Sequence, residues 1–260
     1  MDVPAVPTWI FLRGLTRESA HWGSFVADFE HAMPGARCVA LDLPGNGLLH
    51  GVPSPASVAG MVAACREALA RQGVAPPFYL LAMSLGAMVA AEWARQAPAD
   101  IAGCVLVNTS LRPFNPYYHR LRPRNYAALL GLALRRASAE QVEQAVLRLT
   151  SRRAAERQHV VPAWAGVRRA RPVSMANALR QLAAAARYRA PAQAPVRRIL
   201  LLASQGDGLV HCACSQAIAQ AWGVPLALHP WAGHDLPLDD GPWVIEQVAR
   251  WMAESAAATA

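Results

Sequence analysis

Six short apolar runs, at 8–12, 37–41, 78–82, 104–108, 199–203 and 226–230, recur along the 260 residues with longer stretches of different character between them. Each run is continuous rather than alternating, as a strand buried on both faces must be. Strands that pair in parallel need a long crossover to return to the same edge of the sheet. Several intervals have the spacing for it, because apolar residues fall at helical positions over 18–32, 54–71, 85–96, 211–221 and 242–254. The last of these opens with Pro242 after Gly241, where a first-turn proline belongs. The pattern predicts an α/β three-layer sandwich around a mainly parallel sheet of about six strands. A chain 54% hydrophobic and of this length can bury one large core, with room for an insertion.

Between residues 111 and 195 the strand signal disappears. Helical stretches are predicted instead at 125–136, 138–149, 152–159 and 173–188, with Ser138 and Gln141 spaced as a capping box. Turn-rich segments mark both borders, Arg112-Pro113-Phe114-Asn115-Pro116 on entry and Pro191-Ala192-Gln193-Ala194-Pro195 on exit. The expected division is a core of 1–110 and 196–260 with an inserted helical cap over 111–195. All 25 basic side chains are arginines, and 16 of them lie in this insert against three acids, Glu140, Glu143 and Glu156. The rest of the chain has nine arginines against 14 acids, so the positive charge is regional. No zinc-ligand spacing or aromatic-studded basic strand accompanies it, which disfavours a nucleic-acid binder. Anionic substrates, an acyl carrier or a membrane surface are the expected partners.

The sharpest local signal is Phe78-Tyr79-Leu80-Leu81-Ala82-Met83-Ser84-Leu85-Gly86-Ala87, an apolar strand running through a small-x-Ser-x-small turn into a helix. A strained strand-to-helix turn brings neighbouring backbones close, so Ala82 and Gly86 must be small while Ser84 is left at the helix start. The N–H groups there can stabilise an oxyanion. A buried serine capping a core helix could look alike over five residues, so the partners matter. Asp207 follows the run at 199–203 within Ser204-Gln205-Gly206-Asp207-Gly208, and His234 follows the next run within Trp231-Ala232-Gly233-His234-Asp235. The order Ser84, Asp207, His234 suits a nucleophile, an orienting carboxylate and a base at the carboxyl ends of strands. Asp235, Asp239 and Asp240 are read as surface or loop-capping acids.

With these motifs the chain resembles the α/β-hydrolase fold superfamily over nearly its whole length. The resemblance implies that Phe11-Leu12-Arg13-Gly14-Leu15 is the turn after the first strand, with Arg13 standing where histidine is common. It also implies that the backbone N–H groups of Leu15 and Leu85 form the oxyanion hole. Asp42-Leu43-Pro44-Gly45-Asn46-Gly47 is similar to a structural turn of the same superfamily. Only seven residues precede Thr8, so the antiparallel pair that often opens the fold is not expected.

The reaction implied is attack of Ser84 on an ester carbonyl, with His234 taking the proton and Asp207 holding the ring, then hydrolysis of the acyl-enzyme by water. Small or medium acyl esters are the expected substrates, with a thioester or a carrier-linked methyl ester as the alternative. Carbon–carbon hydrolysis or perhydrolysis could use the same residues, and a non-catalytic binding or adaptor protein on this fold is the alternative from another class. No cofactor or metal is called for; His211, Cys212 and Cys214 are expected to open a helix instead. Trp22, Met83, Phe114, Tyr117, Tyr118, Trp164 and Leu236 are candidate pocket-lining residues, and Arg120, Arg122, Arg124, Arg152 and Arg153 candidate contacts for an acidic acyl carrier protein or acyl-CoA. The five cysteines lack a disulfide-framework spacing, and residues 1–10 do not read as a secretory signal. The uncharged run 72–91 holds Pro76, Pro77, Ser84 and Gly86, so no membrane span is predicted and cytoplasmic residence is expected.

Overall fold

The computed structural model describes residues 7–128, 131 and 137–257. Its six strands are β1 (Thr8–Leu12), β2 (Arg37–Leu41), β3 (Phe78–Met83), β4 (Ile101–Val107), β5 (Ile199–Ser204) and β6 (Leu226–His229). They form one sheet in the order β2-β1-β3-β4-β5-β6, and every neighbouring pair is parallel. No strand precedes β1 among the described residues, and the serine-bearing β3 lies near the middle. The chain runs from β1 out to the β2 edge, then returns past β1 to β3. The crevice where ligands bind in such sheets therefore opens at the carboxyl ends of β1 and β3.

Alternating strand residues feed two cores, because successive side chains leave opposite faces of a strand. Ile10 and Leu12 join Met61, Leu69, Trp93 and Ile218 of the helices α2 (Val58–Arg71), α3 (Leu85–Gln96) and α8 (Ala213–Trp222). Trp9 and Phe11 pack on the other face with Phe25, Phe29, Val244 and Val248 of α1 (Phe25–Ala32) and α9 (Leu236–Ala257). Phe29 meets Trp9 and Phe11 edge-on at ring-centroid distances of 5.0 and 5.2 Å. Both faces being covered explains why the strands read as unbroken apolar runs.

Several element bounds differ from the sequence reading for local reasons. The helix expected at 18–32 is split at Gly23 (φ 57°) into a short turn over Ser19–Trp22 and then α1. α2 starts at Val58 because the Ser57 hydroxyl accepts the Gly60 N–H at 3.2 Å. α9 begins six residues earlier than expected and kinks at Asp240, two before Pro242.

Between β4 and β5 the chain is helical: α4 (Tyr117–Arg120), α5 (Ala139–Thr150), α6 (Val161–Ala170) and α7 (Met175–Arg187). The capping box of Ser138 and Gln141 opens α5 as expected. The helix predicted at 152–159 does not form. There the Arg152 N–H goes to Asp239 Oδ2 (2.9 Å) and the Arg153 N–H to Ser151 Oγ (2.9 Å), and only a short turn over Gln158–Val160 is helical. Helix resumes at α6, with Pro162 in the first turn. Of the stretch 125–136, positions 129, 130 and 132–136 lie outside the described residues. Among the described residues no helix is long and apolar enough to cross a membrane.

Phe29 fills one of the two cores without contact to the crevice. Phe29→Ala is expected to lower the free energy of unfolding by about 3–5 kcal/mol, read from the urea midpoint at unchanged slope.

Candidate active site

Ser84 stands between β3 and α3 with φ 56° and ψ −115°, a conformation that a residue with a Cβ rarely adopts. Three close approaches hold it. A Cβ at Gly86 would stand 2.6 Å from the Leu12 and Arg13 carbonyl oxygens, and one at Gly14 would stand 3.1 Å from the Ser84 Cβ. Ala82, two residues before the serine, is fully buried. The serine turn is thus pressed against the loop that follows β1, as a strained strand-to-helix turn requires.

Asp207 and His234 come together beyond β5 and β6. Asp207 Oδ2 lies 2.7 Å from His234 Nδ1, and Oδ1 accepts the N–H groups of Leu209 (2.7 Å) and Val210 (3.0 Å). A carboxylate fixed at both oxygens holds the imidazole with its proton on Nδ1, which leaves Nε2 as the basic nitrogen. Burial opposes charge on His234. The Asp207 carboxylate, its hydrogen bond and the more distant Asp235 outweigh burial and the repulsion of Arg13, so the ring pKa is raised above its ordinary value.

Residues absent from the sequence reading tie the serine and histidine loops together. The Ser84 N–H donates to Val107 O (3.0 Å), and Thr109 Oγ1 donates to Ser84 O (3.1 Å). Between them, Asn108 Nδ2 donates to the carbonyls of Gly233 (3.1 Å) and His234 (2.9 Å). Three consecutive residues at the end of β4, Val107 to Thr109, therefore grip both loops. The Ser84 hydroxyl and His234 share no hydrogen bond in this structure; such contacts commonly tighten only around substrate.

Arg13 forms a second tie. Its guanidinium pairs in fork fashion with Asp235, at 3.0 and 2.6 Å, and touches Met83 Sδ at 3.5 Å. It thus links the residue before Ser84 to the residue after His234. Asp235, expected as a surface or loop-capping acid, is 3% exposed. Burial disfavours its charge, but the Arg13 guanidinium prevails and holds the carboxyl below its usual range. Asp239 is buried too and accepts the Gly233 N–H (2.7 Å), which makes it a loop-capping acid.

The loop after β1 carries Leu15. Neither the Leu15 nor the Leu85 N–H has a partner among the described residues, as two oxyanion donors require. The next residue, Thr16, has φ 56°, and its N–H donates to Gln181 Oε1 of α7 at 2.9 Å. Arg17 pairs with Glu143 of α5 (2.5 Å), which also holds Arg168 (2.6 Å), while Glu18 pairs with Arg171. Burial lowers the Arg17 pKa despite Glu143, and drives His21 beside it far below its ordinary value, so that ring is neutral. The helical segment after β4 is thereby bonded to the loop that abuts Ser84.

The candidate lining residues are spread through the molecule. Trp22, Met83 and Leu236 are buried in the core that α1 and α9 cover. Phe114 packs on Trp222 at 5.9 Å, and Trp164 lies with Leu147 and Val161 beneath Arg17. Tyr117 and Tyr118 are exposed. The five arginines expected to meet an anionic carrier are engaged with the fold. Arg122, Arg124 and Arg152 donate to the carbonyls of Asp207 (2.9 Å), Gly208 (3.4 Å) and Gly206 (2.6 Å), clamping the acid loop. Arg120 donates to Ala185 O (2.6 Å), and Arg153 lies 4.2 Å over the Trp231 ring. His211 Nδ1 accepts the Ala213 N–H (3.1 Å) and so opens α8, with Cys212 at the cap. Among the described residues no group of three or more His, Cys, Asp or Glu side chains is arranged to hold a metal ion.

Removing one partner of the buried Arg13–Asp235 pair leaves the other charge stranded. Asp235→Asn is expected to cost about 3–5 kcal/mol of stability, and adding Arg13→Met should recover most of that loss in urea denaturation.

No curated protein sequence matches the chain. Among solved structures, a putative non-heme bromoperoxidase from Mycobacterium tuberculosis superposes with a TM-score of 0.73 at 21% identity, covering 95% of this chain and 92% of that one. An esterase from Thermogutta terrifontis gives 0.72 at 19% identity, covering 95% and 90%. An esterase from a Rhodococcus species gives 0.73 at 19%, covering 96% and 91%. These likenesses establish the α/β-hydrolase fold. The family profile described as serine aminopeptidase, S33, matches residues 7–240. The chain belongs to that family of α/β-hydrolases.

Proposed function

We propose that the protein is a serine hydrolase of carboxylic esters with small to medium acyl groups. The observation that carries this reading is the grip of Val107, Asn108 and Thr109 on both the strained Ser84 turn and the His234 loop, with Asp207 fixed 2.7 Å from the ring. In this reading His234 Nε2 accepts the Ser84 proton as Oγ attacks the carbonyl carbon. Asp207 stabilises the imidazolium, and the N–H groups of Leu15 and Leu85 receive the oxyanion. Collapse of the tetrahedral intermediate returns the proton to the leaving alcohol, and water then frees the acid by the same steps. Thioester hydrolysis would differ only in its leaving group. Residues 111–195 form the cap over this crevice and supply Gln181 and Glu143 to the loop after β1. All five cysteines are free thiols, consistent with the proposed cytoplasmic residence.

A fluorophosphonate probe followed by peptide mapping is expected to label Ser84. Ser84→Ala should lower p-nitrophenyl butyrate turnover by at least about a thousandfold with the melting temperature nearly unchanged. Turnover retained in that variant rejects the nucleophile, and a wild-type burst without turnover points to a binding protein. The base must be neutral to work, and Asp207 raises its pKa. Activity is therefore lost as the pH falls through a value above the ordinary ~6.5 of histidine. Asp207→Asn should shift that limb to lower pH while cutting kcat by about 10⁴.

A further inference from the structure

α7 is amphipathic the wrong way round for a helix packed on a protein. Its buried face carries Asn177, Gln181 and Ala184, whose amides hold the loops at Ser54, Val52, Asn46 and Thr16. On the opposite face, at positions i, i+4 and i+7, Met175, Leu179 and Leu182 are 50%, 57% and 45% exposed. The apolar surface continues beyond both ends of the helix. At one end Asn177 Nδ2 grips the carbonyls of His50 (3.3 Å) and Val52 (3.1 Å), in the loop that carries Leu48, 81% exposed. At the other, Arg120 binds Ala185 O at 2.6 Å and brings up α4, where Tyr117 is 74% exposed. An outward apolar stripe of this kind, with exposed apolar side chains on the loops bonded near both ends, marks an interaction surface.

Charge selects the occupant. From Arg157 to Gly206 the chain contains nine arginines and no acid. Arg168, Arg169 and Arg171 are spent on Glu143, Glu140 and Glu18, whereas Arg180, Arg187 and Arg189 are exposed and make no ion pair among the described residues. Arg180 and Arg187 lie a turn or two apart on one flank of the stripe, between the outward leucines and the buried amides. An apolar ridge with cations beside it suits a helix lying in the plane of an anionic lipid surface, with leucines inserted and guanidiniums at the headgroups. A two-fold contact that pairs α7 antiparallel with its copy would instead face these unpaired arginines with one another.

We propose that α7, with Leu48 and Tyr117 at its two ends, docks the protein on an anionic lipid–water interface. From its other side the same helix reaches the Thr16 N–H, so a docked surface lies one helix thickness, about 10 Å, from the loop beside Ser84.

Cosedimentation of the full chain with large unilamellar vesicles tests this. Vesicles of phosphatidylcholine and phosphatidylglycerol should pellet the protein and phosphatidylcholine alone should not, with binding falling as salt rises. Leu179→Gln with Leu182→Gln should weaken binding by about tenfold or more, and Arg180→Gln with Arg187→Gln by a similar factor and with a flatter salt dependence. All four positions are exposed, so thermal unfolding serves as the folding control. Equal binding to both vesicle types, no binding, or binding untouched by folded variants overturns the proposal. So does a concentration-dependent dimer in analytical ultracentrifugation that the leucine variant abolishes, which would assign the face to a second copy. Vesicle binding is measured without turnover, so its outcome is independent of the esterase reading.

Discussion

The amide of one buried asparagine organises the carboxyl edge of the sheet. Asn108 Oδ1 accepts the Ser204 N–H at 2.8 Å, and its Nδ2 reaches Ser204 Oγ, Gly233 O and His234 O at 3.1, 3.1 and 2.9 Å. It thereby joins the ends of β4 and β5 to the histidine loop, while Val107 and Thr109 beside it hold the serine turn. In a dry interior such a group is strong when fully satisfied and costly when not, so the loops it serves are fixed relative to one another. The strained backbone at Ser84 persists because several neighbours impose it at once.

A second principle runs through the residues just after β1: their charges are buried against partners of opposite sign. Arg13 with Asp235, Arg17 with Glu143, and Glu18 with Arg171 all involve residues just after β1. Desolvating such ions roughly cancels their attraction, so these pairs contribute little net stability. What they impose is geometry. A guanidinium accepts few positions against a carboxylate, and a loop carrying three such pairs within six residues has few alternatives.

The fold was legible because burial on both faces writes an unbroken apolar run into each strand, and all six runs became strands. Ser84, Asp207 and His234 were legible because their loops carry distinctive neighbours: Gly86 after the serine, and Gly206 and Gly233 before the other two. Asn108 and Gln181 were not. A polar side chain that bonds backbone far away in sequence leaves no local pattern, and nothing near Asn108 hints at residues 125 and 126 positions along the chain. The stretch 152–159 misled because the bond that ties its start to the distant Asp239 leaves no local pattern. The aromatic residues carried no such mark, because core packing and a pocket wall call for the same side chains.

The bond from Thr16 to Gln181 bears on how such an enzyme can diversify. A helical segment inserted between two strands could be exchanged wholesale, as one would change a lens. Here that segment also supplies the acceptor for a left-handed Thr16 and the counter-ion for Arg17. A transplant from a relative would have to bring equivalents of Gln181 and Glu143 with it. Exchange of that segment is thus constrained by the two side chains that hold the loop after β1.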